Sequence, residues 1–225
     1  MYKFAEEDYI KFIYEYSMNH QTAVQVKHIS EYFNYSDQSV YEMVKKLQEQ
    51  GLVVYQPYKG IHLSDKGIKE AIRMIRSHRI WEVFLKEYLG YSWEEVHDEA
   101  EFLEHASSDE LLKRLYIKLG SPKTCQHGNP IPDFSGQVEH ISMIALADVK
   151  EGNVFEIQKV LDNTQLLTFL KSVSVQLYDK IMVVKKHEFQ ELLEIKVCDN
   201  MITLSLKTAS MIYGVNVSHE SYIKD

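Results

Sequence analysis

The chain has little of what several protein classes require. Its 225 residues include only two cysteines, four prolines and nine glycines, which excludes collagen-like and low-complexity chains and allows at most one disulfide. No apolar run approaches the roughly 18 residues of a membrane-spanning helix, and the acidic start lacks the apolar core of a signal peptide. These absences predict a soluble, cytoplasmic protein with reduced thiols and no membrane partner.

Positive charge is scarce as well. The 25 Lys and Arg residues face 33 Asp and Glu residues, a formal net charge of -8. A diffuse positive field therefore cannot hold nucleic acid, and any DNA binding must use a local surface or a ligand that cancels negative charge. What the chain does have is ten histidines among many carboxylates, and both are metal-ligand types. The length predicts two or three compact units.

The first part of the chain carries a helix-turn-helix pattern followed by a hairpin pattern. Apolar residues at helical spacing predict helices over about 5–18 and 26–32, and a third that follows the Ser36-Asp37 turn and ends at Gln50. Two β-like runs, 52–55 and 61–63, flank a turn segment and predict a hairpin. This order is typical of a winged helix-turn-helix, in which one helix enters the major groove of DNA.

The rest of the chain predicts a helical block and then a small β domain. Long helices are expected from Ser64 to about Leu89, over 93–107 and over 109–119, followed by a turn-rich connection. Four β-like runs after residue 142 favour a small barrel over a sandwich. The fold class is therefore mainly α with a small β domain. The predicted boundaries are 1–72 for the winged helix, 73–141 for the helical block with its linker, 142–217 for the β domain and 218–225 for a tail.

Histidines and carboxylates recur at helical spacing on two predicted helices of the middle block. Each group has a spacing that places its members on one side of its helix. Imidazole and carboxylate donors presented from two helices make a preorganised site for a divalent cation. A solvated charged face is the alternative interpretation of the same residues. The two groups are His78 with Glu82, and His97 with Glu101, Glu104 and His105.

Three motifs, taken together with the winged helix, resemble the diphtheria-toxin-repressor family of metal-dependent transcriptional repressors. The resemblance is greatest to the manganese-responsive members with three domains. It implies a C-terminal SH3-like (FeoA-like) β barrel, a homodimer, double-stranded operator DNA with an inverted repeat as partner, and no small-molecule substrate. The motifs are His78-Arg79-x-x-Glu82, then Val96-His97-Asp98-Glu99-Ala100-Glu101-x-x-Glu104-His105, and Cys125-x-His127-Gly128-Asn129-Pro130-Ile131-Pro132.

The resemblance also implies two metal sites. The first set is Asp8, Glu101, Glu104, His105 and Cys125, and the second is His78, Glu82, His97 and, as the nearest candidate from the barrel, Asp162. A buried structural thiol is the alternative for Cys125. Lys11 stands where some two-domain manganese regulators have a Glu ligand, so we expect no closely spaced pair of ions.

The donor types of the first set indicate which cofactor to expect. Iron-responsive relatives carry a Met and a Cys where this chain has Asp8 and Glu101, and hard oxygens in place of sulfur favour Mn²⁺. The softer thiolate of Cys125 keeps Fe²⁺, Co²⁺ and Zn²⁺ as alternatives, with Zn²⁺, Co²⁺ or Cd²⁺ as substitutes in vitro.

The residues expected to face DNA lie on the third helix and at the tip of the hairpin. Ser and Gln side chains bind base edges or phosphates, whereas Lys is typical of phosphate contacts. For Tyr41, packing inside the protein is an equal alternative. The candidates are Ser36, Gln38, Ser39, Tyr41, Lys45 and Lys46 on the helix, and Tyr58 and Lys59 on the hairpin.

Apolar residues of the middle helices are candidates for a dimer interface, with an intramolecular core as the alternative. These residues are Trp93, Phe102, Leu111 and Leu115.

The expected function is a repressor of metal-uptake genes in which metal is the co-repressor. By joining the first helix to the helical block, the metal would fix the spacing of the two recognition helices in a dimer. Three alternatives stay open: a metal-independent winged-helix regulator, a metal buffer and a di-metal carboxylate enzyme. The enzyme is disfavoured because Glu94-x-x-His97 occurs without the second Glu-x-x-His copy that such enzymes use.

Overall fold

The computed structural model describes residues 2–20, 22–93, 95–138 and 142–222. The chain divides into two compact units. The first unit comprises Met1–Trp81, Glu101–Leu115 and Pro132–Val138. The second comprises Glu82–Ala100, Tyr116–Ile131 and Glu139–Asp225. Among the described residues, no helix is long and apolar enough to cross a membrane. Glu94, which belongs to the enzyme alternative, lies outside the described residues.

The first unit contains a winged helix-turn-helix. Apolar side chains of its helices, such as Ile13, Ile29 and Leu47, are fully buried in one core. The two strands pair antiparallel with Val53 opposite Leu63. The elements are α1 (Tyr2–His20), α2 (Val26–Phe33), α3 (Asp37–Glu49), β1 (Val53–Gln56) and β2 (Gly60–Leu63). The predicted helix-turn-helix and hairpin are therefore confirmed.

Capping side chains set where two helices of the first unit begin. Ser36 precedes α3, and its Oγ accepts a hydrogen bond from the Ser39 amide at 3.2 Å. Ser64 precedes α4 (Asp65–Leu89), and its Oγ accepts from the Gly67 amide at 3.1 Å. Such caps satisfy amides that have no partner in the first turn of a helix. The helical block continues with α5 (Val96–Ala106) and α6 (Asp109–Lys118).

The second unit contains a six-stranded antiparallel sheet of SH3-like type. The strand order is β3-β8-β4-β5-β6-β7, and Phe155, Ile157 and Leu193 lie in the apolar core beneath the sheet. The strands are β3 (Ile144–Ala145), β4 (Val154–Val160), β5 (Lys180–His187), β6 (Leu192–Val197), β7 (Asn200–Ser205) and β8 (Ile212–Val217). The helices are α7 (Thr164–Ser172), α8 (Leu206–Ala209) and α9 (His219–Tyr222).

The β-rich prediction for the last third of the chain is confirmed, but it was incomplete. Strand β8 and helix α7 were not predicted from the sequence. Within the described part of the expected tail, His219–Tyr222 form the short helix α9. Tyr222 at its end donates hydrogen bonds from its hydroxyl to the Lys196 and Cys198 carbonyls, both at 3.2 Å.

Candidate metal centres

Four predicted ligands come together in the first unit. Asp8 lies on α1, and the other three lie on the C-terminal half of α5. Each side chain offers one ligand atom, and these atoms all lie within 4.8 Å of one another. We call this group the α1–α5 site; its members are Asp8, Glu101, Glu104 and His105. Three carboxylates and one imidazole suit a hard or borderline divalent cation such as Mn²⁺ or Fe²⁺.

Glu7 fixes the orientation of the His105 ring. His105 Nδ1 lies 2.8 Å from Glu7 Oε2, and Nε2 lies 3.0 Å from Asp8 Oδ1. Arg73 holds the Glu7 carboxylate from the other side at 2.8 Å. When a neutral imidazole donates its Nδ1–H to Glu7, it keeps the Nε2 lone pair for a metal ion, as outer carboxylates commonly arrange for ligand histidines.

Two carboxylates favour the protonated form of the His105 imidazole. Burial lowers the pKa of His105, but hydrogen bonds to Asp8 and Glu7 outweigh burial and raise this pKa to about 9. A metal ion that binds Nε2 must therefore displace a proton at neutral pH, so affinity at the α1–α5 site falls as the pH is lowered.

Two further side chains contact the carboxylates of the α1–α5 site. Lys11 Nζ lies 2.6 Å from Glu101 Oε1 and 2.8 Å from Glu104 Oε2. His78, which was predicted for the second metal site, lies in the first unit with Nδ1 2.5 Å from Glu104 Oε2. Both side chains are buried, so Glu104, which is fully buried itself, is held by two hydrogen-bonding partners.

A second cluster of ligand-type side chains lies in the second unit. Glu82, Cys125 and His127 have ligand atoms within 4.8 Å of one another, and so do Glu82, His97 and Asp162. Glu82, Cys125 and His127 are all buried. We call Glu82, Cys125, His127 and Asp162 the Cys-His loop site, with His97 at its edge.

The His127 ring connects the members of the Cys-His loop site. Its Nε2 lies 3.0 Å from the Trp93 carbonyl oxygen, and Nδ1 lies 2.7 Å from Asp162 Oδ1 and 3.1 Å from Glu82 Oε1. In a neutral ring that donates Nε2–H to the Trp93 carbonyl, the Nδ1 lone pair faces two carboxylates. That arrangement is repulsive unless a proton or a metal ion lies between them.

The environment of the loop site raises the pKa of two of its side chains. Burial lowers the pKa of His127, but hydrogen bonds to Asp162, Cys125 and Glu82 raise it well above its ordinary value. Burial and the nearby charge of Glu82 raise the pKa of the Cys125 thiol to about 11. Because a metal binds the thiolate, only a strongly attracted cation would deprotonate Cys125 at neutral pH.

A tight turn shapes the Cys-His loop. The Gly128 amide donates to the Cys125 carbonyl at 2.9 Å, and the Val160 amide on β4 donates to the His127 carbonyl at 2.9 Å. Gly128 has φ +77°, and a Cβ at this position would lie 1.9 Å from the Gln158 carbonyl oxygen. The glycine therefore lets the loop lie against β4.

We expect Gly128→Ala to destabilise the protein by about 2 kcal/mol or more, because the methyl group adds a backbone clash to an unfavourable φ. Gly120→Ala is the matched control: Gly120 has φ +80° in the same unit, but nothing lies within 4 Å of its added Cβ. Urea unfolding of both variants measures the difference. Equal losses of stability would contradict a close approach at Gly128.

The sequence predicted most of these side chains but grouped some of them differently. Cys125 was placed with the first set, whereas in the structure its ligand neighbours are Glu82 and His127 of the second unit. His127 was quoted as part of a motif and, as a weaker candidate, was left out of both predicted ligand sets. The spacing Cys125-x-His127, two ligand types two residues apart, is the signal that could have identified it.

Three of the predicted DNA-facing residues are exposed, and a fourth, Lys46, forms an ion pair within the protein. Lys45, Tyr58 and Lys59 are exposed, as a phosphate or groove contact requires. Lys46 Nζ forms an ion pair with Glu6 Oε1 of α1 at 2.6 Å.

Side chains near the start of α3 hydrogen-bond within the helix and its cap. The Ser36 and Ser39 hydroxyls lie 2.9 Å apart, and Gln38 Nε2 donates to Glu42 at 2.9 Å. Tyr41 is exposed, and its ring lies edge-on to the Tyr55 ring with the two ring centroids 5.9 Å apart.

The candidate dimer residues divide into two kinds. Phe102 on α5 and Leu111 on α6 are exposed, with 77% and 45% of their surface accessible, and Leu115 is half-buried. Trp93 packs against the apolar core of the second unit, which favours the intramolecular alternative for this residue.

Comparisons with known proteins cover nearly the whole chain. Family models match three consecutive segments: the N-terminal DNA-binding domain of iron-dependent repressors over residues 4–61, their metal binding and dimerisation domain over 64–133, and the FeoA domain over 144–215. An uncharacterised HTH-type transcriptional regulator of Methanocaldococcus jannaschii is 39% identical over 111 residues, which is 49% of this chain and 89% of that protein. The chain belongs to the diphtheria-toxin-repressor family.

Other members of the diphtheria-toxin-repressor family match more of the chain. The iron-dependent repressor IdeR of Mycobacterium leprae is 29% identical over 182 residues, covering 75% of this chain and 79% of that protein. A solved manganese-dependent transcriptional repressor in complex with manganese superimposes with a TM-score of 0.87 at 34% identity, covering 94% and 100% of the two chains. The structure of ScaR with bound Cd²⁺ superimposes with a TM-score of 0.85 at 34% identity, covering 94% of this chain and 99% of that chain. Family members are transcriptional repressors rather than enzymes.

Proposed function

We propose that the protein is a homodimeric, metal-dependent repressor of metal-uptake genes with a divalent ion, Mn²⁺ or Fe²⁺, as co-repressor. One observation carries the proposal: Asp8 of the winged-helix segment meets Glu101, Glu104 and His105 of α5 in a single cluster of ligand atoms. When bound there, a divalent ion supplies the positive charge that offsets the repulsion of three carboxylates and ties α1 to α5.

Asp8 is the residue that couples metal to DNA in this proposal. It lies on α1, whose Ile10 and Ile13 pack in the same core as Val40 and Val44 of α3. Because cores are close-packed, a restraint on α1 is passed to α3 through these contacts. A dimer binds operator DNA only when its two recognition helices match successive turns of the major groove, so restraining α1 favours the binding conformation.

The Cys-His loop site is the second metal site of the proposal, with Glu82, Cys125, His127 and Asp162 as ligands. Its thiolate and imidazole would accept softer cations than the α1–α5 site. Solved relatives support metal binding in this fold, since they have been determined with manganese, Cd²⁺ and Zn²⁺. Of Mn²⁺ and Fe²⁺ we propose Mn²⁺ as the one used in the cell, because Asp8 and Glu101 supply hard oxygens where iron-responsive relatives carry sulfur.

The remaining parts of the proposal concern DNA, domains and location. The exposed residues of α3 and of the β1–β2 hairpin would contact an inverted-repeat operator. The boundaries 1–72, 73–141 and 142–217 are retained for the DNA-binding, metal-binding and SH3-like domains, which the three family matches support. A regulator of this class acts on chromosomal DNA, so we propose a cytoplasmic location and no catalytic activity.

The proposal is tested by DNA binding with and without metal. Labelled inverted-repeat DNA from upstream of a metal-importer gene is titrated with the protein in Mn²⁺ and again in chelator. We expect binding to be at least about tenfold tighter with Mn²⁺, a typical coupling free energy between two ligands. The same DNA with its repeat scrambled is the control for nonspecific binding.

Other outcomes of this titration point to the alternatives. Equal affinity in Mn²⁺ and in chelator would favour a metal-independent regulator. Absence of specific binding in both conditions would favour a metal buffer and overturn the repressor.

A further inference from the structure

Lys11 places a positive charge inside the α1–α5 site. Its Nζ lies 2.6 Å from Glu101 Oε1 and 2.8 and 3.1 Å from the two carboxylate oxygens of Glu104. The residue is 8% exposed. The ammonium therefore contacts the same carboxylates that the site offers to a divalent ion. Unlike a free ion, this cation is covalently tethered to the chain.

The ammonium of Lys11 stays charged in this environment. Burial lowers the pKa of Lys11, but the charges of Glu104 and Glu101 outweigh burial and raise this pKa above its ordinary value. A tethered group of this kind needs no free concentration to occupy its site, since the linkage keeps its effective concentration high. Lys11 is thus always present as a counter-ion for the two glutamates.

The charges of the site show what Lys11 changes. Asp8, Glu101 and Glu104 carry three negative charges, and Lys11 reduces the formal total to two. One divalent ion then neutralises the set, with the His105 imidazole as a neutral ligand. Without the ammonium the same carboxylates would attract a divalent ion more strongly, because closely spaced charges in a partly buried site interact more strongly than in bulk water.

We propose that Lys11 is a built-in competitor that raises the metal concentration needed to fill the α1–α5 site. The proposal rests on the proposed function in taking Asp8, Glu101, Glu104 and His105 as ligands. Metal binding requires Glu101 and Glu104 to weaken their ion pairs with Lys11. The free energy needed for that exchange sets the metal concentration at which the α1–α5 site fills. In the absence of metal, Lys11 keeps the two glutamates together and the core folded.

Calorimetric titration with Mn²⁺ tests the competitor directly. The Cys125→Ser protein, with Lys11 intact, is compared with the Cys125→Ser/Lys11→Met double variant. The Cys125→Ser substitution removes the thiolate ligand of the Cys-His loop site from both. We expect Lys11→Met to bind Mn²⁺ at least about tenfold more tightly, because the competing charge is gone. In chelator, Lys11→Met should melt at a lower temperature than the protein that retains Lys11. Saturating Mn²⁺ should raise the melting temperature of Lys11→Met by more than it raises that of the protein with Lys11.

Three further variants keep the test decisive. If Lys11→Met does not fold without metal, Lys11→Gln is used, since its amide removes the charge but still donates hydrogen bonds. Lys11→Arg retains the charge and should bind Mn²⁺ close to wild type. Lys27→Met removes the same charge from the surface of α2, where Lys27 is exposed and 3.6 Å from Glu31, and should leave the affinity unchanged.

The outcomes separate the competitor from the function on which it rests. Tighter binding by Lys11→Met or Lys11→Gln, but not by Lys27→Met, supports the competitor. Unchanged or weaker binding by both neutral variants would overturn the competitor while leaving the site intact, provided that Asp8→Ala in the same Cys125→Ser background still abolishes the heat of binding. If Asp8→Ala has no effect in that background, the ligand set is wrong, and both proposals are overturned.

Discussion

Asp8→Ala is expected to lower the Mn²⁺ affinity of the α1–α5 site by about a hundredfold or more and to abolish metal-stimulated DNA binding. Even outer partners of metal ligands are worth roughly 10- to 100-fold in affinity, and Asp8 is the ligand that α1 contributes in the proposed site. Its side chain is 32% exposed, so its removal leaves no deep cavity and the variant should fold. Calorimetry and operator binding in Mn²⁺ measure the two effects.

Asp8→Asn and Glu31→Ala are the controls for this expectation. Asp8→Asn keeps the shape but loses the charge, and should bind Mn²⁺ almost as poorly as Asp8→Ala. Glu31→Ala removes an exposed carboxylate of α2 in the same unit and should behave as wild type. Operator binding by Asp8→Ala that still responds to Mn²⁺ would exclude α1 from the switch.

Cys125→Ser should weaken metal binding at the Cys-His loop site by about a hundredfold and abolish its thiolate signature. Loaded with Co²⁺, the wild-type protein is expected to show a near-ultraviolet sulfur-to-metal charge-transfer band, since Co²⁺ accepts thiolate and imidazole ligands. Ser is nearly isosteric with Cys, so the buried loop should keep its fold. Absorbance during Co²⁺ titration measures both the band and the affinity.

Cys198→Ser is the matched control for the loop site. Cys198 is exposed, lies in the turn between β6 and β7 and is the only other cysteine of the sequence. The charge-transfer band should persist in Cys198→Ser. A band that survives Cys125→Ser and disappears in Cys198→Ser would assign the thiolate to the wrong residue and remove Cys125 from the proposed ligand set.

Local patterns in the sequence were enough to predict the winged helix and the helical block. Ser36 and Ser64 mark helix starts, and the apolar residues of α1 to α3 recur at helical spacing. Helix α7 was overlooked although Asn163 caps it and Leu166, Leu167 and Leu170 form its buried face. Strand β8 was missed because Gly214 interrupts a short apolar run and weakens the strand pattern.

The grouping of the candidate metal ligands depends on tertiary structure and could not be predicted from spacing alone. Asp8 and Glu104 were placed together through the family resemblance, and the structure brings them together. Cys125 and His127 lie in an irregular loop, whose neighbours are set by the Gly128 turn and by β4 rather than by a periodic pattern. Sequence spacing predicts which residues share a helix face, but not which loop approaches that face.

The ion pair between Glu6 and Lys46 gives α1 a second role besides carrying Asp8. Glu6 lies two residues before Asp8, and its carboxylate neutralises a lysine of the helix that would enter the major groove. A DNA phosphate that approaches Lys46 competes with Glu6 for the same ammonium. A phosphate contact at Lys46 would therefore loosen one tie between α3 and α1, and by linkage it would couple operator binding to the position of Asp8.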